Sequence, residues 1–138
     1  MDYNDFKSKQ IDVFLSSEVT EYVLKEFIGY YEKLGLEKDI KLFYPKGLGT
    51  KNELNLLFFY DDKTISVTFP EIKNFKITNL SSIQKTELEV VAGSKYNRSL
   101  TISLSTDEEI VLNPAKDTDP SNADDFKEKI EEIYKFLN

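Results

Sequence analysis

The last part of the chain places apolar residues with the period of an α-helix. Between residues 121 and 137 they recur at spacings of three and four, at Ala123, Phe126, Ile130, Ile133 and Leu137. These spacings put them on one narrow stripe of a helix whose other faces are charged. Ser121, with Asp124 three residues later, is typical of a capped helix N-terminus. We therefore predict a helix that begins at Ser121 and lies on another element through its apolar stripe.

The first part of the chain predicts two more helices. Residues 3–15 place four apolar residues roughly on one side of a short helix: Tyr3, Phe6, Val13 and Phe14. A stronger amphipathic helix follows, with seven residues on one face: Val19, Tyr22, Val23, Phe27, Tyr30, Tyr31 and Leu34. Gly35 is predicted to end this helix, because glycine readily adopts the left-handed conformation of a helix C-terminus.

From residue 40 the apolar period changes to that of β-strands. Seven short strands are predicted, at residues 40–44, 54–60, 64–69, 75–78, 85–92, 99–105 and 109–113. Pro45 is predicted to end the first strand, residues 61–63 to form a hairpin turn, and residues 114–120 to form a polar linker. In the third strand Thr64, Ser66 and Thr68 alternate with apolar residues, which predicts that one face is exposed to solvent. In the sixth strand Leu100, Ile102 and Leu104 alternate with polar residues and are predicted to point inward. The short connections leave no room for crossover helices, so the strands are predicted to pair antiparallel.

These elements predict a single α+β domain over residues 1–138. Helices 1–36 form an N-terminal extension, strands 40–113 form a bent seven-stranded antiparallel sheet or barrel, and helix 121–137 caps it. At 138 residues and 40% hydrophobic composition, the chain is long enough to bury a substantial core.

Composition narrows the range of functions. The chain has no His and no Cys, the commonest general base and the best nucleophile, so we predict no enzyme activity and no catalytic residue. The third function, after a binding module and a ligand site, is an enzyme with carboxylate chemistry at Asp61 and Asp62, but a hairpin turn explains this pair. A net charge of −7 disfavours nucleic-acid binding. The first residues lack the basic and then apolar order of a signal peptide, and we expect a cytoplasmic protein without a cofactor.

Five residues near the final helix have the spacing of oxygen ligands in a calcium-binding loop: Asp117, Asp119, Ser121, Asp125 and Glu128. The sixth position of that pattern is Asn122 instead of the glycine that the sharp turn requires. The eighth is Asp124, where an apolar residue belongs. A linker followed by an acidic helix N-terminus also explains these residues, so we predict no metal site.

Four segments carry a resemblance to a known family. They are the hairpin LNLLFFYDDKTISVTF, the segment FKITNLSSIQKTELEV, the hairpin SLTISLSTDEEIVLNP and the helix FKEKIEEIYKFL. Together they resemble bacterial pleckstrin-homology-like (PH-like) and GRAM-like domains over residues 40–138. The resemblance implies a strongly bent seven-stranded antiparallel barrel with one end plugged by the C-terminal helix. The N-terminal helices are not part of it.

The resemblance implies one candidate ligand site. Relatives of this fold that bind phosphoinositides gather Lys and Arg on the loop between their first two strands. Here that loop carries Lys46 and Lys51, and the turn at residues 93–98 adds Lys95 and Arg98. These four residues predict an anionic-lipid or small-ligand site as the alternative function, with peripheral membrane contact. Solvated basic residues in surface turns also explain them.

The preferred prediction is a non-catalytic binding or scaffolding module for a protein partner or for a second copy of the chain. The fold leaves a groove between its C-terminal helix and a neighbouring strand, where peptides can add. The second predicted helix offers Tyr22, Tyr30 and Tyr31, and tyrosine is enriched at interfaces. The alternative for these rings is that they pack the helix on the barrel.

Overall fold

The computed structural model describes residues 1–8, 21–69, 75–90, 93 and 98–138. In these residues the helices are α1 (Tyr3–Ser8), α2 (Glu21–Lys33), α3 (Pro114–Asp117) and α4 (Ala123–Leu137). The strands are β1 (Leu42–Lys46), β2 (Leu54–Phe59), β3 (Lys63–Phe69), β4 (Lys76–Asn79), β5 (Ile83–Val90), β6 (Arg98–Leu104) and β7 (Glu109–Leu112). Val13, Phe14 and Val19, which the sequence placed on the first two helices, lie outside the described residues.

The predicted α+β class, antiparallel pairing and C-terminal helix are confirmed, but the single seven-stranded barrel is wrong. The described strands form two sheets, in the orders β1-β2-β3-β4 and β5-β6-β7. Between β4 and β5 the chain makes a 3₁₀ turn at Leu80–Ser82. This turn carries the chain from the first sheet to the second instead of pairing the two strands.

The four-stranded sheet buries one face against the N-terminal helices. The ring of Tyr31 stacks on Phe58 with centroids 4.5 Å apart, and Phe27 meets Phe69 edge-on at 5.3 Å. From α1, Tyr3 packs on Phe43 at 5.9 Å. The helices therefore cover this face of the sheet with an aromatic layer.

The opposite face of the four-stranded sheet meets α4 and the second sheet. Phe126 of α4 lies 5.0 Å from the ring of Tyr44 in β1, and α4 also contacts β5 and β6. The predicted stripe of α4 is buried at Ala123, Phe126, Ile130 and Ile133, as are the predicted inward residues Leu100, Ile102 and Leu104 of β6. Both patterns are confirmed.

Two helix ends show how local sequence sets the boundaries. Gly35 ends α2 as predicted, with φ of 74°, and the bonds Leu36 N to Tyr31 O and Gly35 N to Glu32 O complete a Schellman motif. The predicted cap at Ser121 is wrong, because α4 begins at Ala123. The Ser121 hydroxyl instead donates to the carboxylate of Asp119, which also accepts from the backbone N of Asn122.

Pro45 does not end β1 as predicted. It lies inside the strand, opposite Leu56 of β2. Because β1 is an edge strand of the sheet as described, a residue without an N–H group can be accommodated there.

The burial of α2 gives a matched pair of substitutions. Tyr31→Ala removes a fully buried ring and should lower the free energy of unfolding by about 3–5 kcal/mol. Tyr22→Ala alters a side chain that is 75% exposed and should change it by less than about 0.5 kcal/mol. Urea denaturation followed by circular dichroism measures both, and equal losses would contradict this packing of α2.

Candidate functional site

The two sheets leave between them a groove of about 370 Å³. Its floor is the polar face of the four-stranded sheet, with hydroxyl and amide side chains at Asn55, Thr64, Ser66, Thr68 and Thr78. Its wall is formed by β7 and by Leu104 and Glu108. The alternation of β3 predicted this polar face, and the structure shows that it lines a groove.

Cross-strand hydrogen bonds order the floor of the groove. The Ser66 hydroxyl donates to Asn55 Oδ1 at 2.9 Å, and Asn55 Nδ2 donates to the Thr68 hydroxyl at 3.1 Å. Because a hydroxyl is both a donor and an acceptor, each keeps further capacity for a ligand in the groove.

Charges of both signs lie around the groove. Lys46 and Lys76 come from the four-stranded sheet, and Glu108 and Glu109 come from the opposite wall. Lys76 is bound to the carboxylate of Glu108, and both side chains are about half exposed. A solvent-exposed pair of this kind contributes little to stability, so a ligand can replace it at small cost.

Strand β7 presents a backbone edge to the groove. It pairs only with β6 in the described sheet, and Leu104 N donates to Glu108 O at 2.9 Å. Because antiparallel ladder bonds alternate, Ile110 and Leu112 also bond to β6, whereas Glu109 and Val111 point their backbone groups away from it. The Val111 carbonyl accepts from Lys46 Nζ across the groove at 2.6 Å, which confirms this direction.

A buried carboxylate lies at the Lys46 end of the groove. Asp117, 2% exposed, accepts Lys46 Nζ on Oδ1 at 2.7 Å. Its Oδ2 accepts the Tyr44 hydroxyl at 2.6 Å and the backbone N of Asn113 at 2.7 Å. These bonds join β1 to α3, and through Lys46 to the edge of β7.

Hydrogen bonds also join the loop after β1 to Asp117 and Thr118. Gly47 N donates to Asp117 O at 2.7 Å, and the Thr118 hydroxyl donates to Leu48 O at 3.0 Å. Gly47 has φ of 96°, and a Cβ there would lie 2.2 Å from the carbonyl oxygen of Glu53. Only glycine fits this close approach.

The sequence predicted a polar linker at residues 114–120, and the first half of this prediction is wrong. Residues 114–117 form α3, where the Asn113 side chain accepts from Ala115 N and Pro114 occupies the first turn. Asparagine followed by proline is a helix-start signal, and it was available in the sequence.

Burial changes the ionisation of four phenols. Burial raises the pKa of Tyr44 far above its ordinary value, and the neighbouring Asp117 carboxylate raises it further. The Tyr44 hydroxyl therefore stays protonated and donates. Burial likewise raises the pKa of Tyr3, Tyr31 and Tyr60. The hydroxyls of Tyr31 and Tyr60 are hydrogen-bonded to each other, and Tyr60 also donates to Leu36 O at 2.6 Å.

The predicted basic residues have different surroundings. Lys46 lines the groove, and its ammonium group forms an ion pair with Asp117. Lys51 is exposed in the loop after β1. Arg98 Nε lies 3.4 Å from the carboxylate of Glu131 in α4. Lys46 and Arg98 thus contact acids on different elements, and Lys95 lies outside the described residues.

The three predicted interface tyrosines separate into surface and core. Tyr22 is 75% exposed and Tyr30 is 54% exposed, with the Tyr30 ring 6.2 Å from Phe75. Tyr31 is fully buried between the helix and the sheet, so its ring belongs to the core.

Several positions of the calcium-loop pattern are bound to protein groups. Asp117 holds Lys46 and Tyr44, Asp119 accepts from Ser121, and the carboxylate of Asp125 contacts the amino group of Met1. All three carboxylates therefore contact groups of the protein itself.

No model of a protein family matches the sequence, and a search of curated proteins found no significant match. Of the helices in the described ranges, none is long and apolar enough to cross a lipid bilayer.

The bond from Tyr44 to Asp117 is directly testable. Tyr44→Phe keeps the buried ring but removes a donor to a charged acceptor, so the free energy of unfolding should fall by about 2 kcal/mol. Tyr22→Phe is the exposed control and should leave it unchanged. Urea denaturation measures the difference, and equal stability of the two variants would show that the bond is unimportant.

The raised phenol pKa values predict a loss of stability at high pH. In the unfolded chain tyrosines ionise near pH 10, whereas Tyr3, Tyr31, Tyr44 and Tyr60 stay protonated in the folded state. The unfolded state then binds fewer protons, so stability is fully present below about pH 10 and falls as pH rises above it. Urea midpoints at pH 8 and pH 11 measure this fall, and Tyr44→Phe should show a smaller one.

Proposed function

We propose that this protein is a non-catalytic binding module that takes an extended segment of a protein partner into the groove between its sheets. One observation carries the proposal: β7 directs the backbone groups of Glu109 and Val111 into a groove with a polar floor. A peptide that pairs with such an edge gains main-chain hydrogen bonds, and alternate side chains provide specificity.

The chemistry of the groove favours a particular kind of segment. Every second side chain of an added strand would face the hydroxyl and amide groups of Asn55, Ser66 and Thr68, which suit small polar residues. A basic residue of the partner can replace Lys76 as the ion-pair partner of Glu108. The expected ligand is therefore extended, rich in Ser, Thr or Asn, and carries one Lys or Arg.

The PH-like resemblance is part of this proposal. Its support is the order of four strands, then three strands, then a helix that contacts β1, β5 and β6. The resemblance favours peptide addition between the C-terminal helix and a neighbouring strand. At that position, however, the Thr86 hydroxyl of β5 is bonded to the side chain of Asn138, which follows α4. We therefore assign the peptide to β7. The proposal also places the module in the cytoplasm, which the amino-acid composition favours.

The test starts from a peptide-display selection on the purified full chain, followed by affinity measurement with the selected peptides. Val111→Pro removes an N–H group that faces the groove but leaves the ladder to β6 intact, so it should weaken binding at least about tenfold. Val111→Thr keeps this N–H group and should bind as the natural sequence does. Circular dichroism checks that both variants are folded.

Nuclear magnetic resonance locates the bound peptide independently of the variants. Peptide should shift the amide signals of Glu109 and Val111 together with those of Ser66 and Thr68 in the floor. Shifts confined to the exposed α2 residues Tyr22 and Tyr30 would overturn the assignment to the groove, as would equal affinity of Val111→Pro and Val111→Thr.

A further inference from the structure

The outer face of α2 is an exposed surface that the function proposed above does not use. At 100° per residue, five exposed residues of the helix lie within one sector about 100° wide: Tyr22, Glu26, Gly29, Tyr30 and Lys33. Tyr22 and Tyr30 both expose more than half of their surface. Because tyrosine is enriched where proteins contact each other, this face has the composition of an interface.

Gly29 lies in the middle of this face, and the packing of the single chain does not explain it. Glycine inside a helix is less favourable than alanine, because ordering its backbone costs more entropy. A Cβ atom placed on Gly29 would meet no atom within 4 Å, and its φ is not positive, so alanine would fit. A missing side chain on a helix surface does, however, let another molecule approach the backbone closely.

The outer face of α2 carries one charge of each sign. In the part of the chain that the structure describes, neither Glu26 nor Lys33 forms an ion pair. The two residues are separated by about 10 Å along the helix axis, which is too far for them to pair with each other. The glutamate lies towards the start of the helix and the lysine towards its end, with Gly29 between them.

We propose that α2 pairs antiparallel with α2 of a second copy of this chain, about a two-fold axis between Gly29 and Tyr30. This arrangement places Glu26 opposite Lys33 of the second copy, and the ring of Tyr30 over Gly29 of the second copy. Because a two-fold interface repeats every contact, both occur twice. A parallel pair would instead place each Glu26 opposite the other Glu26, and like charges repel. The charges of the face are thus complementary to a second copy in the antiparallel arrangement.

The pairing is independent of the peptide groove. α2 packs on one face of the four-stranded sheet and the groove lies on the other face, so a dimer leaves two grooves open. One helix from each copy buries less area than a standard interface, so we expect a weak dimer with a dissociation constant on the order of 100 µM. At the much lower concentrations of urea denaturation the protein is then a monomer.

Charge reversal tests the pairing. Sedimentation equilibrium of the full chain from about 10 µM to about 1 mM should show a monomer that becomes a dimer. Glu26→Lys and Lys33→Glu each place like charges opposite each other, so each should weaken the dimer at least about tenfold. An equal mixture of the two variants should form dimers again, because the two lysines of one copy then face the two glutamates of the other. Glu128→Lys, on the exposed face of α4, makes the same charge change as Glu26→Lys and should leave the dimer unchanged.

Gly29→Ala separates the interface from the stability of the helix. It should raise the melting temperature of the dilute monomer, because alanine is the better helix former, and weaken the dimer severalfold, because its methyl group meets Tyr30 of the second copy. A natural chain that stays monomeric at every concentration would overturn the proposal. So would a dimer that keeps its affinity in Glu26→Lys and Gly29→Ala, or a mixture of the two charge variants that stays monomeric.

Discussion

The buried carboxylate of Asp117 holds the two halves of this fold in register. It binds Tyr44 and Lys46 of β1 on one side and the backbone of Asn113 on the other. Because Lys46 also bonds to the Val111 carbonyl, the same carboxylate sets the position of β7 relative to the four-stranded sheet. A buried carboxylate needs partners of this kind, and removing one of them leaves part of a buried charge uncompensated.

The groove follows from this constraint together with the polar pattern of β3. The 3₁₀ turn at Leu80–Ser82 leads the chain out of the first sheet, so its inner polar face is not closed over by a continuous barrel. On the other face, aromatic residues of α1 and α2 form a dense layer on Phe43, Phe58 and Phe69. One face of the sheet thus packs against the N-terminal helices, and the other face carries hydroxyl groups that can bind a ligand.

The sequence pattern within each helix or strand predicted those features of the fold that depend on that element alone. The stripe of α4 and the alternation of β6 show which side of each element is buried, and Gly35 shows where α2 ends. The role of Asp117 could not be predicted, because its partners Tyr44 and Lys46 lie 73 and 71 residues away in sequence. Tyr30 and Tyr31 show a further limit: they are neighbours on α2, about 100° apart on the helix, and only contact with the sheet decides which is buried.

The central claim is that β7 directs the N–H groups of Glu109 and Val111 into the groove, where no described strand pairs with them, while Lys46 and Asp117 hold β7 in place. Amide hydrogen exchange of the free protein tests it most directly, because it reports on each backbone N–H group of the strand. The account predicts slow exchange at Ile110 and Leu112, which bond to β6, and fast exchange at Glu109 and Val111, which face the groove. Uniform protection of all four amides would show that the edge is already covered and would contradict the account.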